Sequence, residues 1–570
     1  MKRLFPISRR SVFYNASILA LSGVVLQGLG FLYRILQSRL IGAEGMGMYS
    51  LIQPVYGVIT SVALAGVCAA VNHLTAEADA RGSSGALIRI FSAGAAFFVL
   101  LFTLMASALI FGHEKAASLL LGKPETGRAM LLFLPCIFLT GFENLCKNAC
   151  YGLKHVGAPA VSEITEQIVR IGAVCAVILL LKPETPLASA ECVILGMTAS
   201  EVFSALFMTV TLTRIYRERG EGGPPFPRPI AGGVIRIALP VSLSALAGNL
   251  IASSVTLILP GRLMTAGLSE EEALSAIGRI TGMAFPLMLL PLTFVYPVGA
   301  AVAPRITGSM AVEKRADAGR KAARALEIAA LASMPLSFLL IPAGPFLVKT
   351  VFGAEVDGKT LFLMALGCVA MAFQTVSSSI LTGYGKHRFA MASGLLGGIL
   401  HLALVWFFAG DPAVGVRAEV IGAAAGSALP ALINLLRLAI SLRLRLSARR
   451  LLLGPLFLTV PAVLCEKAAI RLLGGELPGI LLGILTGGII AAAAAYAWGY
   501  RPGRYLRTLI PRERLQKEDR GRVTCAPPES AEETAASEIR RSSGNKRASG
   551  GSAARGSSVR RAFRNSSNDA

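Results

Sequence analysis

Polar residues are sparse up to about residue 500, and they cluster between long apolar runs. A helix needs roughly 20 mostly apolar residues to cross the hydrocarbon core of a bilayer. About fourteen runs reach that length on a sliding hydropathy window. Six are centred near Leu26, Val62, Leu100, Phe138, Val174 and Phe203. Six more lie near Leu246, Leu290, Met334, Val369, Leu400 and Leu429, and two near Pro461 and Thr486. Several contain Gly and Pro, which membrane bundles accommodate because neighbouring helices and water re-satisfy the backbone. The opening "MKRLFPISRRSVFYNASILALSGVV" imitates a signal peptide. It has no clear small-residue cleavage site and continues into "GLGFLYRILQSRLIGAEG", so it reads as an uncleaved first span.

Two stretches repeat. "YGLKHVGAPAVSEITEQIVRI" from Tyr151 is echoed by "TGYGKHRFAMASGLLGGILHL" from Thr382, about 230 residues or six spans later. In each, a short basic loop containing glycine joins two apolar helices. Repeats of membrane helices build many secondary transporters, with the binding site between the halves near the midplane. An even number of crossings separates the copies, so both run in the same direction. The expected fold is an all-α integral membrane protein with two pseudo-symmetric six-helix lobes plus two C-terminal helices. The expected boundaries are 1–216 for the first lobe, 217–231 for a cytoplasmic linker and 232–446 for the second lobe. Two added helices follow over 447–500, then a basic Ser/Gly/Arg-rich tail over 501–570 that is expected to be disordered.

Composition supports the membrane reading. Of the 570 residues 16% are charged, against about 25% in soluble domains, and mean hydropathy is +0.62. A net charge of +23 would suggest nucleic acid in a soluble chain. Here the basic residues lie between the apolar runs and in the tail, so anionic lipid headgroups are the expected partner and nucleic acid is not. Basic loops also orient the chain. Lys2, Arg3, Arg9 and Arg10 precede span one, and Arg214, Arg217, Arg219 and Arg228 follow span six. Arg305, Lys314, Arg315, Arg320, Lys321 and Arg324 follow span eight, and Arg443, Arg445, Arg449 and Arg450 follow span twelve. The alternate loops are poorer in Lys and Arg, which predicts that both termini are cytoplasmic. The nine cysteines form no C-x-x-C pair, so neither a zinc site nor a disulfide framework is indicated.

The stretch "FGAEVDGKTLF" spells G-x-x-x-x-G-K-T through Gly353, Gly358, Lys359 and Thr360. A phosphate-binding loop works between a strand and a helix in a soluble domain. This stretch joins spans nine and ten and sets Glu355 and Asp357 inside the would-be phosphate nest, so it reads as an exterior turn. With no H-E-x-x-H, no G-x-S-x-G and no long hydrophilic domain, neither an enzyme nor a cofactor is expected.

Charges within spans are costly and tend to face a cavity or a partner. Arg34 and Arg39 lie near the end of span one, and Arg279 begins span eight. Glu143 and Lys147 are one turn apart in span four, Glu163, Glu166 and Arg170 share a face of span five, and Glu201 lies in span six. His73 and Glu77 close span two, and His401 lies in span eleven. The arginines also have the option of snorkelling to the interface. Glu143 with Lys147, and Glu166 with Arg170, have the spacing of intrahelical ion pairs. Together these charges suggest a polar cavity between the lobes. Arginine at its rim suits an anion such as a pyrophosphate, because the guanidinium fork matches phosphate oxygens.

Three stretches carry a family resemblance. "GFLYRILQSRLIGAEGMGMYSLIQPVY" (Gly30 to Tyr56), "RLMTAGLSEEEALSAIGRITGMAFPLMLLP" (Arg262 to Pro291) and "EQIVRIGA" (Glu166 to Ala173) resemble the stage V sporulation protein B branch of the polysaccharide exporters. That branch lies in the multidrug/oligosaccharidyl-lipid/polysaccharide flippase superfamily. The resemblance covers roughly Ser11 to Trp498. It implies fourteen helices, with two six-helix lobes forming a V and two further helices that shelter a lipid tail. It implies transport of a lipid-linked sugar precursor between leaflets of a bacterial cell membrane, by a chain expected to act as a monomer. Arg34 matches the first-helix arginine that holds pyrophosphate in related lipid II flippases, and Arg39 and Arg279 match further basic positions. His73, Glu143, Lys147, Glu166, Arg170 and Glu201 are candidate cavity or coupling residues, driven by a sodium or proton gradient or by the membrane potential. His73, in "VNHLTAE", stands where the branch carries lysine, which makes that charge pH-dependent. The alternative is a cation-coupled multidrug antiporter of the same superfamily, which needs a cavity dominated by carboxylates such as Glu143, Glu166 and Glu201. An ATP-driven pump would need Lys359.

Overall fold

The computed structural model describes residues 12–497, apart from 122–123, 221, 227–228, 312, 443–446, 448 and 474–476. Lys2, Arg3, Arg9, Arg10, Arg228, Arg443, Arg445 and the 501–570 tail therefore lie outside the described residues. Within them the chain is helical, as the apolar periodicity requires. The first half comprises α1 (Val12–Thr60), α2 (Gly66–Arg81), α3 (Ser84–Leu121), α4 (Thr126–Gly152), α5 (Gly157–Leu181) and α6 (Pro186–Arg219). The second comprises α7 (Ile230–Thr265), α8 (Glu270–Ile277), α9 (Phe285–Met288), α10 (Leu292–Ala311), α11 (Arg315–Phe352), α12 (Gly358–Gly383), α13 (His387–Phe408) and α14 (Arg417–Leu442). The pair α15 (Gly454–Leu472) and α16 (Leu477–Ala497) follows, with both helices packed on α11.

Two irregular elements explain the count of crossings. Leu21–Arg81 is a continuous apolar run of 61 residues, about 90 Å of helix at 1.5 Å per residue. It breaks at Gly42, whose φ of 68° and ψ of −176° suit only glycine. The run therefore serves as spans one and two. Span eight is also bent, with Glu270–Met288 meeting Leu292–Met310 at 63° across a break at Pro291, which has no N–H to continue the ladder. Ser269 starts this span with a reciprocal cap, its hydroxyl accepting from the Glu272 N–H while the Glu272 carboxylate accepts from the Ser269 N–H. Counting the split run as two and the bent pair as one gives fourteen crossings.

A π-helical turn over Ser61–Ala65 widens span two where α7 packs against it. Such turns leave backbone groups off the regular ladder. Ser242 of α7 serves both sides, its hydroxyl donating to the Val62 carbonyl (3.1 Å) and accepting from the Gly66 N–H (3.2 Å).

The sequence repeat is also a repeat of geometry. After α4, the Leu153, Lys154 and His155 N–H groups donate to Ala149, Tyr151 and Cys150. After α12, the Tyr384, Gly385 and Lys386 N–H groups donate to Ile380, Thr382 and Leu381. Every member of the second set carries a number 231 higher than its counterpart in the first. Both turns use the left-handed helix-ending geometry that satisfies terminal carbonyls. Lys154 adopts it at φ 62° and Gly385 at φ 80°. Outward faces are apolar, with Phe111, Leu180 and Leu472 each more than four-fifths exposed, as lipid contact demands.

Candidate functional site

Two places gather the charges. The first is a cavity of about 540 Å³ at the seam where α1 meets α8 and α11. Arg39, Arg279, Lys349 and Glu355 line it, together with Ser38, Gly42 and Gly353. The Arg39 guanidinium caps the end of α11, donating to the Val351 carbonyl (2.9 Å) and to the Thr350 carbonyl. A cation at a helix C-terminus satisfies orphan carbonyls and complements the helix dipole. Lys349 pairs with Glu355 at 2.7 Å. Arg279 is half-buried and, among the described residues, makes no hydrogen bond or ion pair. Three basic side chains against one carboxylate leave the cavity net positive.

The same seam is closed by interlocked glycines. A Cβ on Gly278 would overlap the Ala43 carbonyl, and one on Gly47 would overlap the Leu274 carbonyl. Small residues let helix backbones approach this closely in membranes. Phe31 of α1 meets Phe352 of α11 edge-on, with ring centroids 5.8 Å apart.

The P-loop-like stretch borders this cavity. Gly353 ends α11 in the left-handed region (φ 79°), and Asp357 caps α12 by accepting from the Thr360 N–H. A turn between two helices has no strand to present phosphate-binding N–H groups. Its carboxylates are engaged elsewhere. Lys349 beside Glu355 holds that carboxyl below its ordinary range. Partial burial pushes Asp357 upward, but hydrogen bonds from Thr360 and the nearby Arg417 charge outweigh it and hold it low.

The second place is a buried knot inside the first lobe, where α4, α5 and α6 pack together. Lys147 bridges Glu143 (2.7 Å) and Glu166 (3.2 Å), and Glu163 stands 4.0 Å away. Arg170 bridges Glu166 and Glu201, the latter at 2.7 Å. Ser162 donates to Glu143 (3.2 Å), Ser204 donates to Glu143 and Glu166, and the Arg170 Nε donates to Ser200 (3.3 Å). Both intrahelical pairs expected from i, i+4 spacing are present, and the fold joins them across three helices. Glu143, Lys147, Glu166 and Glu201 are buried in this packing, away from the residues that line the seam cavity.

The remaining candidates stand apart. Arg34 is half-buried on α1 with no ion pair among the described residues, and its charge acts on Tyr33 and Tyr49, as does that of Arg170. His73 is exposed midway along α2, one turn before Glu77, which pairs with Arg81 (2.8 Å). His401 faces Glu419 of α14 at 3.2 Å. Sequence reasoning missed Lys349 at the cavity, the serines of the knot, and Glu466, which is fully buried in α15 with neither carboxylate oxygen partnered among the described residues. Glu466 was detectable as a lone acid within an apolar run.

Fourteen candidate crossings among the described residues, built largely from two copies of a six-helix unit, define a multi-pass membrane protein. The chain belongs to the polysaccharide biosynthesis protein family, whose pattern matches residues 12–310. It is similar to stage V sporulation protein B of Bacillus subtilis (strain 168), with 24% identity over 436 residues covering 75% of this chain and 83% of that protein. Its fold is similar to a structure of the lipid II flippase MurJ in an inward closed conformation. That match has a TM-score of 0.62 at 13% identity and covers 84% of this chain and 98% of the other. It is also similar to a multidrug resistance MATE family transporter of the MOP superfamily in an inward-facing conformation. There the TM-score is 0.59 at 16% identity, covering 74% and 98% of the two chains. The fold class and family expected from the sequence are those found.

Proposed function

We propose that this transporter flips a lipid-linked oligosaccharide or peptidoglycan precursor, a polyprenyl pyrophosphate sugar, from the inner to the outer leaflet of a bacterial cell membrane. Both termini are cytoplasmic, and the lobes alternate between inward-open and outward-open states. The observation that best supports this reading is the net-positive cavity between α1, α8 and α11, in which the Arg279 guanidinium makes no hydrogen bond or ion pair among the described residues and acts on Glu355 through its charge. A pyrophosphate suits such a site, because guanidinium forks bind its oxygens in bidentate fashion. Arg34, less than two turns back along α1, extends the basic track toward the membrane interior. The helices α15 and α16 flank α11 with apolar surface suited to a polyprenyl tail.

The same geometry disfavours a cation-coupled multidrug antiporter. Glu143, Glu166 and Glu201 are bridged by Lys147 and Arg170 inside helix packing, so they offer no open carboxylate wall to a cationic drug. Arg34→Ala is expected to abolish complementation of a flippase-deficient strain while the variant still reaches the membrane. Normal growth of that strain would remove Arg34 from the site.

A further inference from the structure

The buried knot carries a charge imbalance that its own residues do not remove. Glu143, Glu166 and Glu201 bring three negative charges, and Lys147 and Arg170 bring two positive ones. Glu163 lies on the rim and is one-third exposed. A residual charge within a membrane-embedded helix bundle is costly. Carboxylate oxygens of the three glutamates lie within 4.8 Å of one another, a distance at which like charges resist joint ionisation. Lys147 lies between Glu143 and Glu166, which leaves Glu201 as the glutamate it does not reach. Glu201 is 2% exposed; one of its oxygens accepts from Arg170, and the other has no partner among the described residues.

The second lobe supplies an internal comparison. At positions numbered 231 higher, Gln374 stands for Glu143, Ser378 for Lys147, Gly397 for Glu166 and His401 for Arg170, while Ser393 repeats Ser162. The second lobe also builds a polar cluster there, with His401 facing Glu419 of α14 (3.2 Å). Ser393 donates to the Asn434 carbonyl oxygen (2.7 Å), and the Asn434 amide donates to Ser378 (3.1 Å) and Ser377 (3.4 Å). The second lobe thus joins its helices with one carboxylate facing one histidine, whereas the first gathers three carboxylates around two basic side chains.

We propose that Glu201 takes up one proton, which makes the knot electrically neutral, and that this proton is the ion coupled to transport. The coupling role rests on the transport reading given above; the proton site itself does not. A hard metal cation such as sodium is disfavoured by the crowded geometry, since such ions seek about six oxygen ligands. Lys147 and Arg170 already place two positive charges among the three glutamates, and these would repel a metal cation. A proton needs one free oxygen.

The groups facing Glu201 come from several helices. From α4 these are Cys136, Thr140 and Glu143, and from α5 they are Glu166 and Arg170. From α1, Tyr56 is close enough to interact, and Tyr33 and Tyr49 lie between the influence of Arg170 and that of Arg34. The helix α3 contributes no hydrogen bond or ion pair to Glu201 among the described residues. Arg170 is thus shared between Glu201 and the α1 helix that carries Arg34 and Arg39. Neutralising Glu201 weakens its hold on Arg170 and alters the field along α1, which gives proton binding a route to the seam.

The test is infrared difference spectroscopy on the full-length chain in lipid nanodiscs, titrated from alkaline to acid pH in potassium and then in sodium buffer. The expected result is a protonated-carboxyl band that grows on acidification, is lost in Glu201→Gln and persists in Glu466→Gln. Glu201→Asp, which keeps a carboxyl, should retain a band whose midpoint has moved. A band unchanged in Glu201→Gln, or lost instead in Glu143→Gln or Glu166→Gln, overturns the assignment. Suppression of the band by sodium at constant pH also overturns it, by making the knot a sodium site. No substrate is needed for this readout, so failure of the flippase reading would leave its outcome unaffected.

Discussion

Gly278→Ala will push open the seam between α1 and α8 and reduce transport by at least about tenfold. The added methyl group would lie within the radius of the Ala43 carbonyl oxygen, a backbone atom that cannot rotate away as a side chain would. Overpacking of this kind costs about 1–3 kcal/mol, sometimes more. It acts only on the state in which the seam is closed. A difference of about 1.4 kcal/mol is a tenfold change in an equilibrium, so the closed state is depleted by one to two orders of magnitude. A cysteine placed at Ser275, which lines the cavity, should then react faster with a membrane-impermeant maleimide, in a background lacking Cys465 and Cys525. Gly248→Ala is the matched control, since a Cβ there meets nothing within 4 Å. Labelling and growth identical to that control would show that the glycine contact does not govern access.

Arg170→Ala will destabilise the first lobe by about 3–5 kcal/mol, the usual cost of removing one partner from a buried ion pair. Its guanidinium is the link between Glu166 and Glu201, and its loss leaves both in buried packing with Glu201 unpaired. Thermal unfolding in detergent measures the loss directly. Arg170→Lys restores charge but not the two-pronged geometry, so it should fall between wild type and alanine. Arg170→Ala melting within about 0.5 kcal/mol of wild type, the range of ordinary surface substitutions, would mean that the knot is solvated and that its charge balance has no energetic weight.

Much of the fold was legible because lipid imposes one rule on every span. An apolar run near Phe138 or Val369 had to be a helix, and α4 and α12 fall there. The echo of Tyr151 in Thr382 was legible because both copies end a helix with the same turn. The bend at Pro291 and the fused run through Gly42 were harder, since hydropathy registers apolar length but not direction. At the site, i, i+4 spacing announced the Glu143–Lys147 and Glu166–Arg170 pairs. It was silent on the bridge from Lys147 to Glu166, which depends on how α4 meets α5. Arg39 read as a phosphate ligand or a snorkelling residue, yet the carbonyls it caps lie more than three hundred residues away in sequence. No local pattern encodes such a contact. Ser162 and Ser204 escaped notice because serine is ordinary in membrane helices.

The central claim is movement of a polyprenyl pyrophosphate sugar between leaflets. It is tested most directly with full-length protein reconstituted into vesicles that carry a fluorescent lipid-linked sugar in both leaflets. A membrane-impermeant reductant bleaches only the outer leaflet. The account predicts that protein-free vesicles lose about half the signal, the outer share of a two-leaflet bilayer. Vesicles with the transporter should lose nearly all of it, and those with Arg34→Ala or Arg279→Ala should return toward half. Bleaching that stops at half in the presence of the folded wild-type protein, under an imposed proton gradient as well as without one, would contradict it.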